Sequence, residues 1–143
     1  MTDNDDIRWK QRFANYKKAL ATLKRGLAEI KKTGDDEFRK LGIIQSFEFT
    51  QELSWKVLKD FIEYQGGGDR IYGSKDAYRN ALNRSIISDG EIWMKMIESR
   101  NESSHLYDES AVLTIFDKIE PLYLPCFEAL KETLDGIIEN SAE

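Results

Sequence analysis

Arg100-Asn101-Glu102-Ser103-Ser104-His105-Leu106-Tyr107 gathers the residue types that could carry chemistry, and it holds the only histidine in 143 residues. A guanidinium offers five donors and a permanent charge, which suits a phosphate. An imidazole titrates near neutrality and can take or give a proton. Together they form a minimal kit for metal-independent phosphodiester cleavage. His105 would deprotonate a ribose 2′-hydroxyl or protonate the leaving oxygen. Arg100 would hold the phosphate and offset its growing charge. Asn101, four residues before His105, would share its face on a helix and orient either group.

The same residues have plain structural roles. A histidine near a helix C-terminus is a favourable partner for the helix dipole. An arginine close to Glu98 and Glu102 can form a surface ion pair. Tyr107 can be a half-buried ring capping the end of a bundle. Spacing alone leaves both readings open.

Composition narrows the field. One Cys and one His exclude an internal disulfide and most multi-histidine metal sites. Cys126, in the apolar stretch Leu124-Pro125-Cys126-Phe127, is expected to be a buried, inert thiol. A reduced, cytoplasmic setting is expected, with no cofactor. The acidic N-terminus does not resemble a signal peptide, and no apolar run reaches the roughly 20 residues that span a bilayer. The net charge of −5 argues against a broad electrostatic nucleic-acid surface, although a local basic pocket is compatible with it. Neither DNA nor a membrane is an expected partner.

These residues must be positioned by helices. Trp9, Phe13, Tyr16, Leu20, Leu23, Leu27 and Ile30 recur at alternating steps of four and three, an unbroken apolar seam. Thr33-Gly34-Asp35-Asp36 ends that helix and caps the next, which is expected to run from Asp36 to Gln65. The second helix is apolar on more than one face, from Phe38 to Ile62. It is therefore central in its own bundle or shared with a second subunit. Gly66-Gly67-Gly68 lacks the flanking residues of a phosphate loop and reads as a connection. Ser74 is expected to cap a short helix, Ser88-Asp89-Gly90 another, and Asp108 the last segment, which Pro121 and Pro125 should bend or divide. Trp55 and Trp93 read as core or dimer contacts. Glu48 and Glu52, one turn apart, are expected to pair with Lys56 or an arginine rather than bind a metal. No strand pattern appears. The expectation is all-α: an antiparallel up-and-down bundle of four to five helices, as one domain over residues 1–143.

Arg100, His105 and Tyr107 also match an Arg-x4-His-x-Tyr signature. Two further stretches accompany it in order: Phe47-Glu48-Phe49-x-x-Glu52-Leu53-Ser54-x-Lys56 and Tyr72-Gly73-x-Lys75-Asp76-x-x-Arg79-x-Ala81-Leu82. With these, the chain resembles the nucleotidyltransferase substrate-binding protein family, a branch of the HEPN superfamily of small, usually dimeric helical proteins. The resemblance implies a homodimer and a separate small nucleotidyltransferase as partner. It implies one of two activities. In the first, the helical chain binds the nucleotide or substrate of that enzyme. In the second, it is a metal-independent ribonuclease toxin, silenced when the partner adds AMP to Tyr107. Under the second, Arg100 and His105 are catalytic and Asn101 is auxiliary. Under either, Arg100, His105 and Tyr107 form the binding surface, with nucleotide or RNA as ligand.

Overall fold

The computed structural model describes residues 3–34, 36–66 and 70–141. Among the described residues six α-helices follow one another: α1 (Asp3–Thr33), α2 (Glu37–Tyr64), α3 (Ser74–Asn83), α4 (Gly90–Glu102), α5 (Glu109–Lys118) and α6 (Leu124–Ser141). A 3-10 turn, Ser103–His105, extends α4, and a π-helical segment, Ile119–Tyr123, joins α5 to α6. The last run is therefore one continuous helical rod from Glu109 to Ser141, and the bundle has five rods. No strand occurs among the described residues.

The α1 seam behaves as its spacing demands. Trp9, Phe13, Tyr16, Leu20, Leu23 and Leu27 are all buried, and Ile30 is partly so. Gly34 adopts a left-handed φ of 94°, and its amide bonds the Ile30 carbonyl at 2.8 Å, closing the helix. Asp36 caps α2 by accepting the Arg39 amide at 2.8 Å. Asp35, Gly67 and Gly68 lie outside the described residues. α1 approaches α2 closely at Gly26: a Cβ there would fall 2.6 Å from Ile43 Cδ1, and that side-chain end would have to shift.

Phe127 on α6 is the meeting point of the core. Its ring lies 6.4 Å from Tyr16 of α1, 6.2 Å from Phe47 of α2 and 5.9 Å from Trp93 of α4. The Tyr16 hydroxyl also donates to the Phe127 carbonyl at 2.7 Å. Burial pushes the Tyr16 phenol up, so it remains a neutral donor. On the outer surface, three lysines of α1 spaced seven apart meet three carboxylates of the last rod. Lys17 pairs with Asp135 at 3.2 Å, Lys24 with Glu128 at 2.8 Å and Lys31 with Glu120 at 2.9 Å.

Two expected caps differ. Gly73, not Ser74, occupies the N-cap of α3, and no side chain caps it. Asp76 takes up the local bonding instead, its carboxylate accepting the Tyr72 amide at 3.2 Å. Asp89 does sit at the N-cap of α4, but its backbone is left-handed (φ 58°) and its side chain caps nothing. Asp108 caps α5 as expected, accepting the Ser110 amide at 2.9 Å.

The prolines divide the last rod, by widening it. Pro121 lacks an amide and its ring would collide with the carbonyl four residues back. The chain responds with i→i+5 bonding, in which the Leu124 amide reaches the Ile119 carbonyl. No helix among the described residues is long and apolar enough to cross a membrane.

Phe127→Ala should cost about 3–5 kcal/mol, because one cavity opens against three helices. Urea unfolding is expected to show it, with Phe127→Leu losing markedly less.

Candidate functional site

Arg100 occupies the last turn of α4, and three contacts hold its guanidinium against α2. Nη1 donates to the Glu48 carbonyl at 2.6 Å. Nε lies 3.6 Å from Glu48 Oε2, and Nη2 lies 4.0 Å from Glu52 Oε2. The side chain keeps about a third of its exposure, 36%. Arg100 thus pairs with the α2 carboxylates, as expected of Glu48 and Glu52, and not with Glu98 or Glu102. Glu52 also accepts from Trp55 Nε1 at 3.2 Å and pairs with Lys56 at 3.2 Å. Partial burial raises its pKa, but the Trp55 and Lys56 bonds and the charges of Lys56 and Arg100 outweigh this and leave it below the usual carboxylate value.

Glu48 has a second partner that sequence reading missed. Ser103 Oγ lies 2.9 Å from Glu48 Oε2 and 2.6 Å from the Arg100 carbonyl. One carboxylate therefore ties both Arg100 and the start of the 3-10 turn to α2. A serine at a helix end is too common for sequence to flag this role.

Behind Arg100 the joint is buried. Ser99 Oγ and Tyr123 Oη are 2.5 Å apart, and Tyr123 Oη donates to the Lys95 carbonyl at 3.1 Å. A phenol has one hydrogen, so Ser99 is the donor to Tyr123. Burial raises the Tyr123 pKa, against the Ser99 bond, which lowers it, and keeps this geometry protonated. The π segment is what carries Tyr123 to α4.

The 3-10 turn delivers His105 to solvent. Tyr107 follows, 86% exposed, and its hydroxyl lies 3.4 Å from His105 Nδ1. The two rings meet edge to face, with centroids 5.9 Å apart. Tyr107 is therefore not the half-buried cap that a structural role would require. Asn101 is exposed and its side chain makes no hydrogen bond among the described residues; its carbonyl accepts from Ser104 Oγ at 2.9 Å. The α-helix ends at Glu102, so the four-residue spacing that would align Asn101 with His105 crosses into tighter 3-10 geometry. The structure thus brings His105 to Tyr107 and fixes Arg100 on α2, while Asn101 stands apart.

No three His, Cys, Asp or Glu side chains converge to hold a metal among the described residues. Cys126 is 5% exposed, and burial pushes its thiol up to about 11. It is a packing residue. Trp93 is core at 1% exposure, whereas Trp55 is half-buried beside Glu52.

Comparisons with known proteins agree with this architecture. The model of the family described as "nucleotidyltransferase substrate binding protein like" matches residues 11–136. A Haemophilus influenzae protein named probable ribonuclease HepT is 37% identical over 82 residues. That match covers 55% of this chain and 56% of the relative, little more than half the length of each. Among solved structures, HI0074 of Haemophilus influenzae is described as having the fold of a substrate binding domain of a nucleotidyltransferase. It aligns with a TM-score of 0.77 at 28% identity, covering 86% of this chain and 98% of that one. A Thermus thermophilus protein aligns with a TM-score of 0.66 at 28% identity, covering 85% of this chain and 96% of that one. The family model spans nearly the whole bundle, including Arg100, His105 and Tyr107: the chain belongs to the nucleotidyltransferase substrate-binding protein family.

Proposed function

We propose that this protein is a metal-independent ribonuclease of the HEPN type, acting in the cytoplasm and paired with a small nucleotidyltransferase that silences it by adding AMP to Tyr107. The observation that carries the reading is the exposed His105–Tyr107 pair on the turn that follows Arg100, whose guanidinium is bonded to α2. A residue that only packed the bundle end would not be 86% exposed. The name of the Haemophilus influenzae relative points the same way.

The reaction needs no metal. The ribose 2′-oxygen attacks the adjacent phosphorus as its proton passes to a base. The P–O5′ bond breaks, and the departing oxygen takes a proton. The products are a 2′,3′-cyclic phosphate and a 5′-hydroxyl. His105 supplies the base or the acid. Arg100 offsets the charge that grows on the phosphoryl oxygens. A second copy of the chain would supply a second His105, so that base and acid act together across a homodimer interface. Phe49, 59% exposed on α2 next to Glu48, is the apolar surface that favours such pairing.

Silencing follows from position. The Tyr107 oxygen attacks the α-phosphorus of ATP, pyrophosphate leaves, and the phenolic proton passes to solvent. The added phosphate brings negative charge next to His105 and within the field of Arg100. It would occupy the place of the RNA phosphate without refolding.

The second reading is a non-catalytic partner that binds nucleotide or substrate for the nucleotidyltransferase, as the description of HI0074 suggests for that protein. Two measurements separate them. Purified protein in excess EDTA should cleave RNA, with His105→Ala lowering the rate about 10²–10⁴-fold and Arg100→Ala about 10²–10³-fold. Intact RNA with wild-type protein would leave the binding reading standing. Co-expression with the nucleotidyltransferase should raise the intact mass by whole AMP units, and Tyr107→Phe should abolish the increase. An unchanged wild-type mass alongside an active partner removes the modification.

A further inference from the structure

The segment from Arg70 to Arg84 is locally basic. It carries four basic side chains, Arg70, Lys75, Arg79 and Arg84, and one carboxylate, Asp76, in a protein of net charge −5. Asp76 is already engaged by the Tyr72 amide at 3.2 Å, and Arg84 reaches Gln65 at 3.3 Å. Lys75 and Arg79 are different. They are exposed, one turn apart on α3, and make no ion pair or hydrogen bond among the described residues. On α1, Lys10, Lys17, Lys24 and Lys31 have carboxylate partners, while Lys18 and Lys32 are exposed without one among the described residues. Ahead of Lys75 and Arg79 in the chain stands Tyr72, 79% exposed and with its backbone pinned by Asp76.

Packing puts this face at the same end of the bundle as Arg100. Gly90, at the start of α4, lies against Leu82 near the end of α3, and Tyr78 meets Trp93 at a ring distance of 4.9 Å. The two helices therefore run in opposite directions. From that crossing, α4 advances about 10 Å to Arg100 while α3 runs back about 6 Å to Ser74. Tyr78 also bonds Gln51 at 3.0 Å and Ser54 at 2.8 Å, on either side of Glu52, whose carboxylate faces Arg100.

We propose that the Tyr72–Lys75–Arg79 face of α3 is a track for single-stranded RNA that leads the strand to the Arg100–His105 site. Lys75 and Arg79 contact neighbouring phosphates and Tyr72 stacks on a base, the combination by which proteins hold single strands without reading sequence. An exposed ring three and seven residues before two uncommitted cations suits a nucleobase and its backbone better than an acidic protein surface. The inference rests on the ribonuclease reading for what the strand is delivered to. Binding itself does not depend on cleavage.

The test uses a fluorescent 2′-O-methyl oligoribonucleotide, which lacks the attacking hydroxyl, so affinity is read on the wild-type protein whether or not it cleaves RNA. Lys75→Glu/Arg79→Glu should weaken binding at least tenfold at about 0.1 M salt. Lys75→Gln/Arg79→Gln, a gentler change should the reversal unfold α3, should lower the slope of log affinity against log salt by roughly 1.4, about 0.7 for each phosphate no longer neutralised. Tyr72→Ala should weaken binding about tenfold with the salt slope unchanged. Lys18→Glu/Lys32→Glu on α1 makes the same charge change away from the track and should have little effect. The proposal is overturned if folded α3 variants bind as the wild type does, or if the α1 control loses as much. It is equally overturned if the α3 variants keep RNA but lose the nucleotidyltransferase, which would make this a protein contact. Wild-type binding through α3 without any cleavage would leave the track standing and remove the ribonuclease reading alone.

Discussion

Three helices turn an aromatic ring toward Phe127, which is the contact all three share. Tyr16, Phe47 and Trp93 come from α1, α2 and α4, each 6.4 Å or less from that one ring. The dense packing of protein interiors means that such a junction transmits displacement rather than absorbing it. α2 and α4 are the two helices that carry Glu48 and Arg100. Their relative placement is set at the core, and the guanidinium merely reports it. The Tyr16 hydroxyl fixes α6 along its axis by bonding the Phe127 carbonyl, so the junction is defined in rotation and in height.

The site is accordingly a joint and not a pocket. Arg100 is clamped by groups from α2, and Ser99 just before it is clamped by Tyr123 from the π segment. His105 and Tyr107 then project on a turn that has left the regular helix. Bonded on one side and open on the other, this arrangement combines a charge tied to α2 with two groups exposed to solvent. π-turns recur where a helix must redirect a side chain. Here the redirected side chain is Tyr123, and it braces the α4 terminus.

Much of this was legible in the sequence. The α1 seam, the Gly34 stop, the Asp36 and Asp108 caps and the division near Pro121 all follow from local chemistry that tertiary contacts did not override. The pairing of Glu52 with Lys56 was readable from their one-turn spacing. Three features were not. Ser103 bonds Glu48 across 55 positions, and no local pattern encodes a contact of that range. The end of the α-helix at Glu102 removed the face on which Asn101 was expected to meet His105. The cap of α3 went to Gly73 because Asp76 serves the loop before the helix. Each miss falls where the chain leaves regular geometry, which is where periodicity stops carrying information.

The three exposed lysine–carboxylate pairs between α1 and the last rod add little to stability individually. Their spacing says something else. The lysines step by seven and seven, whereas Asp135, Glu128 and Glu120 step by seven and then eight. The extra residue falls where the rod widens into its π turn. A straight α-helix would carry Glu120 about 100° off the line of the other two. The widened turn restores the match, so the insertion acts as a vernier: it keeps two rods of unequal repeat in step along their shared length. A slip of the last rod by a single residue would separate all three pairs together. The ladder therefore selects one alignment among near-equals, and the π turn is the correction that makes that alignment available.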